Sequence, residues 1–215
     1  MELILAEKPS AARNFAKALG GKTGNYAGTE YKITNLRGHV MGLLPPDKQV
    51  PTEKVEFYKS WDLENLPWNL NEFAWKKGIL SGCKDIISGL KDELKEADCV
   101  VIATDVDPSG EGELLAWEAL EKCGWRGPTK RMYFADEAPA SVQKAFRERK
   151  TLPSMDKDGD YVKAVVRERW DLASMQFTRA ATLVARKKGF RTVVRQGRLK
   201  SVMVKPVSYT HLTLP

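Results

Sequence analysis

Short runs of consecutive apolar residues alternate with longer amphipathic stretches through the first 150 residues. Residues 3–6 (Leu-Ile-Leu-Ala) and 99–103 (Cys-Val-Val-Ile-Ala) are unbroken apolar runs of strand length, the pattern of strands buried on both faces. Residues 31–36 and 39–44 predict two further short strands around a turn at Gly38, stopped by Pro45-Pro46. Helical spacing predicts helices over 10–19 (ended by Gly20-Gly21), 79–96 (with Ile86, Leu90 and Leu94 on one face), 111–123 and 139–149. A last strand is expected at 131–134. Residues 47–78, rich in Pro, Trp and charge, read as an irregular surface excursion, in which Trp61, Trp68 and Trp75 serve packing rather than base stacking. A break of low helicity at 151–159 precedes one long basic helix, or two, over 161–188.

Strands alternating with helices predict an α/β fold, a parallel sheet flanked by helices, followed by a mostly helical partial second domain. In such sheets, sites form beyond the carboxyl ends of the strands. Two predicted strands end in acids: Glu7 after the first, Asp105 and Asp107 after the central one.

Composition narrows the class. Of 215 residues 42% are hydrophobic and 29% charged, which describes a globular protein rather than a disordered one. No apolar run approaches the roughly 18–20 residues that span a bilayer, and the first residues lack the pattern of a signal peptide. A cytoplasmic protein without membrane contact is expected. Cys83, Cys99 and Cys123 are scattered, with no Cys-x-x-Cys pair for zinc or disulfide exchange. The net charge of +7 is unevenly placed: residues 1–150 hold 22 Lys and Arg against 23 acids, and residues 151–215 hold 13 against 5. A basic segment behind a neutral domain points to a polyanionic partner.

Asp105-Val106-Asp107 puts two carboxylates on one side of an extended segment. Two such neighbours raise each other's pKa unless a cation neutralises them. Mg2+ suits the role, since it takes hard oxygen ligands and commonly uses one or two carboxylates with water and phosphate. Gly110 and Gly112 allow a tight turn, and Ser109 is placed to cap the next helix. Glu7 is the candidate general acid/base beside that metal. Lys8, ahead of a helix capped by Ser10, is placed to meet a phosphate. His39 reads first as a structural turn residue, and Arg167, Arg169 and Arg186 read equally as a solvated helix face.

Several of these segments together resemble a known family. Residues 6–13 (Ala-Glu-Lys-Pro-Ser-Ala-Ala-Arg) are similar to the opening of topoisomerase III-like type IA DNA topoisomerases, and residues 103–113 (Ala-Thr-Asp-Val-Asp-Pro-Ser-Gly-Glu-Gly-Glu) to their Toprim acidic motif. Gly38-His39-Val40 matches a Gly-His turn between them. Phe177-Thr178-Arg179-Ala180 and residues 196–201 (Gln-Gly-Arg-Leu-Lys-Ser) resemble two segments of the next, DNA-contacting domain. The resemblance implies a Rossmann-like Toprim metal-binding domain over 1–150 and the start of a DNA-binding domain over 151–207. It implies strand cleavage by a tyrosine, strand passage and Mg2+-supported rejoining. Glu7 would be catalytic, and Glu7, Asp105 and Asp107 would hold the metal. Lys8, Arg179, Arg195, Gln196, Arg198 and Lys200 would contact DNA, chiefly single-stranded.

The departures carry consequences of their own. The family usually has Arg-Glu after the second Asp, where this chain has Pro108-Ser109, so Glu111 is expected to take over part of the third acid's role. Lys200 stands for a usual Gln and Val202 for a usual Pro, which favours phosphate contact over base reading. The nucleophilic tyrosine is expected in a later domain and not in this chain; Tyr209 sits too early, and 208–215 reads as a truncated or non-native tail. A monomeric fragment, inactive alone and dependent on its missing C-terminal domains, is the expectation that follows. Two other functions stay open: a Toprim nuclease or primase, and a non-catalytic single-strand DNA-binding remnant.

Overall fold

The computed structural model describes residues 1–197. It opens with β1 (Glu2–Ala6) and α1 (Pro9–Leu19), then β2 (Thr23–Tyr26), β3 (Thr29–Asn35) and β4 (Met41–Leu43). After a segment containing α2 (Val55–Lys59) come β5 (Lys77–Ile79), α3 (Lys84–Glu93), β6 (Cys99–Ala103) and α4 (Glu111–Cys123). The order closes with β7 (Thr129–Arg131), α5 (Pro139–Arg147), β8 (Lys150–Thr151) and the long α6 (Gly159–Lys187). The chain forms two compact units, one of residues 1–42 and 77–166, the other of residues 43–76 and 167 onward.

The first unit is built on a six-stranded sheet in the order β2-β3-β1-β6-β7-β8. The inner four strands are parallel, as their apolar sequences predict, and both edge strands are antiparallel additions. The edge strand β2 escapes the sequence reading because Thr-Gly-Asn-Tyr has no apolar alternation; its turn is Ala27-Gly28, both at positive φ. β4 and β5 pair as a separate two-stranded ribbon.

Alternation along the central strands sends side chains to two faces. Ile4, Ala6, Val101 and Ala103 meet Phe15 of α1 and Val142 and Phe146 of α5. Leu3, Leu5, Val100 and Ile102 meet Leu90 of α3 and Leu115 and Leu120 of α4. Full burial of each such Leu, Ile or Phe contributes about 1.5–3 kcal/mol. The predicted helix at 79–96 is shorter than expected, because Ile79 lies in β5 and Gly82, at φ +76°, turns the chain before α3. Its buried stripe is Ile87, Leu90 and Leu94 rather than one starting at Ile86.

The second unit has a core of its own. Val50, Tyr58, Trp68, Phe73 and Leu172 pack together, so the predicted excursion is a folded segment rather than a surface loop. Gln49, fully buried, ties its two ends: its amide donates to Leu44 O at 2.7 Å and Lys76 O at 2.9 Å, and accepts from Lys76 N at 2.6 Å. α6 is one helix, ended where Gly189 takes a left-handed φ of +87°. Among the described residues no helix is long and apolar enough to cross a membrane.

Candidate functional site

Register brings the first acids together. β1 and β6 are neighbours with Ala6 opposite Ala103, so both strands end at the same level. β1 leads through α1 to β3 on one side, and β6 leads through α4 to β7 on the other. The connections diverge between β1 and β6, and the crevice beyond the strand ends at such a point is where open α/β sheets place ligands. Glu7 stands there, and its Oε2 accepts the backbone N–H of Asp105 at 3.1 Å. The β3–β4 turn joins the same edge, with Gly38 N donating to Glu7 O at 2.9 Å.

Each remaining acid has a partner. Asp105 Oδ2 receives Lys8 Nζ at 3.0 Å, and this bond holds the Lys8 ammonium above its ordinary range despite some desolvation. Asp107 turns into its own loop. Its Oδ1 accepts from Ser109 N at 2.7 Å and from the Ser109 hydroxyl, and its Oδ2 accepts from Gly112 N at 3.3 Å. Burial pushes the Asp107 carboxyl up, but these donors outweigh it and leave its pKa lowered. Glu111, in the first turn of α4, meets His39 Nε2 at 2.8 Å.

Two sequence expectations about caps are corrected here. The N-cap of α4 is Gly110, at φ +75°, and Ser109 spends its hydroxyl on Asp107. The N-cap of α1 is Lys8 without a side-chain bond, and Pro9 rather than Ser10 starts the helix. Proline suits that first position, where its missing N–H leaves no helical bond unmade.

Lys8, Asp105 and Glu7 therefore meet, and Glu111 joins His39 instead. Among the described residues no three His, Cys, Asp or Glu side chains converge as a ready metal cage. The donor chemistry still fits Mg2+, which seldom needs an all-protein cage and takes one or two carboxylates with water and phosphate. A depression of about 320 Å3 beside Asp105, bounded by Val106, Phe134, Asp136 and Glu137, leaves space at the strand ends.

The family model for the Toprim domain matches residues 2–136. The chain belongs to the Toprim family. It is 30% identical over 151 residues to DNA topoisomerase 3 of Staphylococcus epidermidis, covering 69% of this chain and 20% of that protein. It is 30% identical over 184 residues to DNA topoisomerase 3 of Bacillus subtilis, covering 84% of this chain and 24% of that protein. The chain thus spans between a fifth and a quarter of the curated relatives it matches. Both relatives are DNA topoisomerases, in agreement with the resemblance that the sequence motifs carry. A full-length topoisomerase I structure from Thermotoga maritima is similar at TM-score 0.49 and 23% identity, over 69% of this chain and 21% of that one.

The Toprim site rests on a residue that the sequence reading missed. Arg131, the last residue of β7, is fully buried. Its guanidinium donates to Glu113 Oε1 at 2.6 Å, to Thr104 O at 2.6 Å and to Asp105 O at 3.1 Å. It holds the backbone of Thr104 and Asp105, where the acidic loop leaves β6. Its only signal was an Arg in an expected strand, with Glu113 as one of four glutamates in the helix at 111–123; neither names the partner.

Gly112 has a second supporting role. A Cβ built there would lie 2.1 Å from Asp105 O and 2.9 Å from Thr104 Oγ1, so only glycine lets α4 start this close to the acidic loop. Thr104 Oγ1 donates to Gly112 O at 2.8 Å across the same gap.

In the second unit, Arg179 is 8% exposed and faces inward. It donates to Tyr58 O at 2.6 Å and Ser60 O at 3.1 Å, and its guanidinium lies over the rings of Trp68 and Trp61 at 4.8 and 5.4 Å. Desolvation lowers its pKa. In this structure Nη1 of Arg179 fastens 58–60 to α6, while its Nε is buried without a hydrogen-bond partner, so the side chain is turned into the protein rather than toward a phosphate in solvent. Arg195 and Gln196 are exposed, while Arg198, Lys200 and the 208–215 tail lie outside the described residues.

Proposed function

We propose that this chain is the metal-binding part of an enzyme that cleaves, passes and rejoins single DNA strands. The observation that carries the reading is the hydrogen bond from Asp105 N to Glu7, which joins the two acid-bearing strand ends at the sheet's switch point. Asp105 and Asp107 would hold Mg2+, with help from Glu7 and Glu111. When bound, Mg2+ would neutralise phosphate charge near the scissile bond.

Glu7 serves as the general acid/base. It takes the proton of the 3′-hydroxyl as that oxygen attacks the phosphorus, and the bond to the tyrosine oxygen breaks. Lys8, released from Asp105, meets a phosphate oxygen. Arg195 and Gln196, with Arg198 and Lys200, contact the strand backbone. In this reading residues 1–150 are the metal-binding part, 151–207 begin the DNA-binding part, and the protein works in the cytoplasm.

Two measurements test the proposal. Calorimetric titration of Mg2+ should show binding that Asp105→Asn weakens; equal affinity in the variant would remove the metal assignment. Supercoiled plasmid should be relaxed when the complementary portion of the Bacillus subtilis relative is added. Metal-dependent nicking by this chain alone would point instead to a nuclease.

A further inference from the structure

Asp105 meets a cation supplied by the chain itself. Lys8 Nζ lies 3.0 Å from Asp105 Oδ2, and the two side chains are 43% and 47% exposed, so either can change partner at low cost. Asp107 is held differently. Its donors come from Ser109 and Gly112, which are neutral and belong to its own loop. Of the two aspartates, Asp105 is the one paired with a positive charge. The same ammonium feels Glu7 and Glu137 at longer range, so Lys8 neutralises part of the acidic cluster beyond β1 and β6.

An ammonium and a divalent cation repel each other when they share one carboxylate. Mg2+ approaching Asp105 therefore has to displace Lys8 or bind against its charge. A displaced lysine is a point charge on a flexible four-carbon stem, and phosphate is a common partner for it. Lys8 is the N-cap residue of α1 and makes no side-chain bond to that helix, so its departure leaves the helix start intact.

We propose that Lys8 is a resident counter-ion which Mg2+ displaces from Asp105, so that loading the metal hands the ammonium to a phosphate. The proposal rests on the metal reading above and adds a coupling between two ligands. By linkage, the factor by which metal strengthens phosphate binding is the factor by which phosphate strengthens metal binding. The free chain holds Mg2+ weakly, and a strand whose phosphate draws Lys8 away readies Asp105 for it.

Calorimetric titration of Mg2+ into the full chain tests the displacement. Lys8→Met, which keeps the stem and loses the charge, should bind Mg2+ about five- to tenfold more tightly than the parent. Lys8→Gln should shift the affinity in the same direction. Two controls separate displacement from a general loss of positive charge. Lys163, paired with Asp160 at 2.6 Å, lies within electrostatic reach of Asp107, and Lys163→Met should leave Mg2+ affinity near the parent's. In an Asp105→Asn background, Lys8→Met should bring no gain.

Fluorescence anisotropy of a labelled dT oligonucleotide at constant ionic strength tests the coupling. Mg2+ should strengthen strand binding by the parent about fivefold more than by Lys8→Met. Circular dichroism melting checks that the variants fold. Parental Mg2+ affinity in both Lys8 variants, with Asp105→Asn weakened, overturns the displacement and leaves the metal reading standing. So does an equal gain in Lys163→Met, since a charge off the carboxylate then suffices. Equal Mg2+ dependence of strand binding in parent and Lys8→Met overturns the hand-over to phosphate. If neither the parent nor the Lys8 variants bind Mg2+, the metal reading and this proposal fall together.

Discussion

Arg131 Nε and Glu113 Oε1 meet at 2.6 Å with both side chains buried, directly beneath the backbone that carries Asp105. Removing one partner of such a pair leaves a buried charge without compensation. Arg131→Ala should therefore lower the unfolding free energy by about 3–5 kcal/mol. The double variant Arg131→Met/Glu113→Leu should lose less, since no orphan charge remains. Urea denaturation of the three proteins measures both differences.

Gly112→Ala should disturb the acidic loop without touching a carboxylate. The added carbon would meet Asp105 O at 2.1 Å, and backbone must give way. An overpacking cost of about 1–3 kcal/mol is expected. Mg2+ affinity should fall in the same variant, because the displaced atom belongs to Asp105. Thermal melting and calorimetry on one sample read the two effects.

Acid stability should depend on Ser109. The Asp107 carboxyl sits below its ordinary value of about 3.9 because donors from Ser109 and Gly112 outweigh burial. A group with a depressed folded pKa contributes stability that is present above its unfolded pKa and lost as pH falls through the folded value. Parent stability should thus decline from about pH 4 downward. Ser109→Ala removes a donor, raises the Asp107 pKa toward the ordinary value, lowers stability at pH 6 and flattens the acid limb. Carboxyl carbon NMR titration follows the group, and urea midpoints against pH follow the stability.

Arg179 should behave as a structural residue. Its replacement by Lys keeps the charge but loses the planar guanidinium whose Nη1 reaches Tyr58 O and Ser60 O while the group lies over Trp68. A loss on the order of 2 kcal/mol is expected for Arg179→Lys. If instead the variant melts with the parent while oligonucleotide affinity drops sharply, the inward placement is not what matters in solution.

The elements that carry the site were legible in the chain because their signals are local. An unbroken apolar run such as 99–103 has one comfortable setting, a strand covered on both faces, and β6 occupies those residues. The helix at 111–123 was equally plain, bounded by Gly110 and Gly124 in left-handed conformations. Glu7, Asp105 and Asp107 could be singled out because strand ends are readable and two of them here carry acids. Their partners could not. Whether Asp105 faces Lys8, whether Asp107 turns back on Ser109, and whether Glu111 meets His39 depend on register and on helix placement, which join residues 2 to 97 positions apart. The sequence by itself determined the sheet's central strands, the type of fold and the chemistry available at their ends. Only the tertiary structure decided that Arg131 anchors the acidic loop and that Arg179 faces a protein core, because burial and hydrogen-bond satisfaction are properties of assembled surfaces.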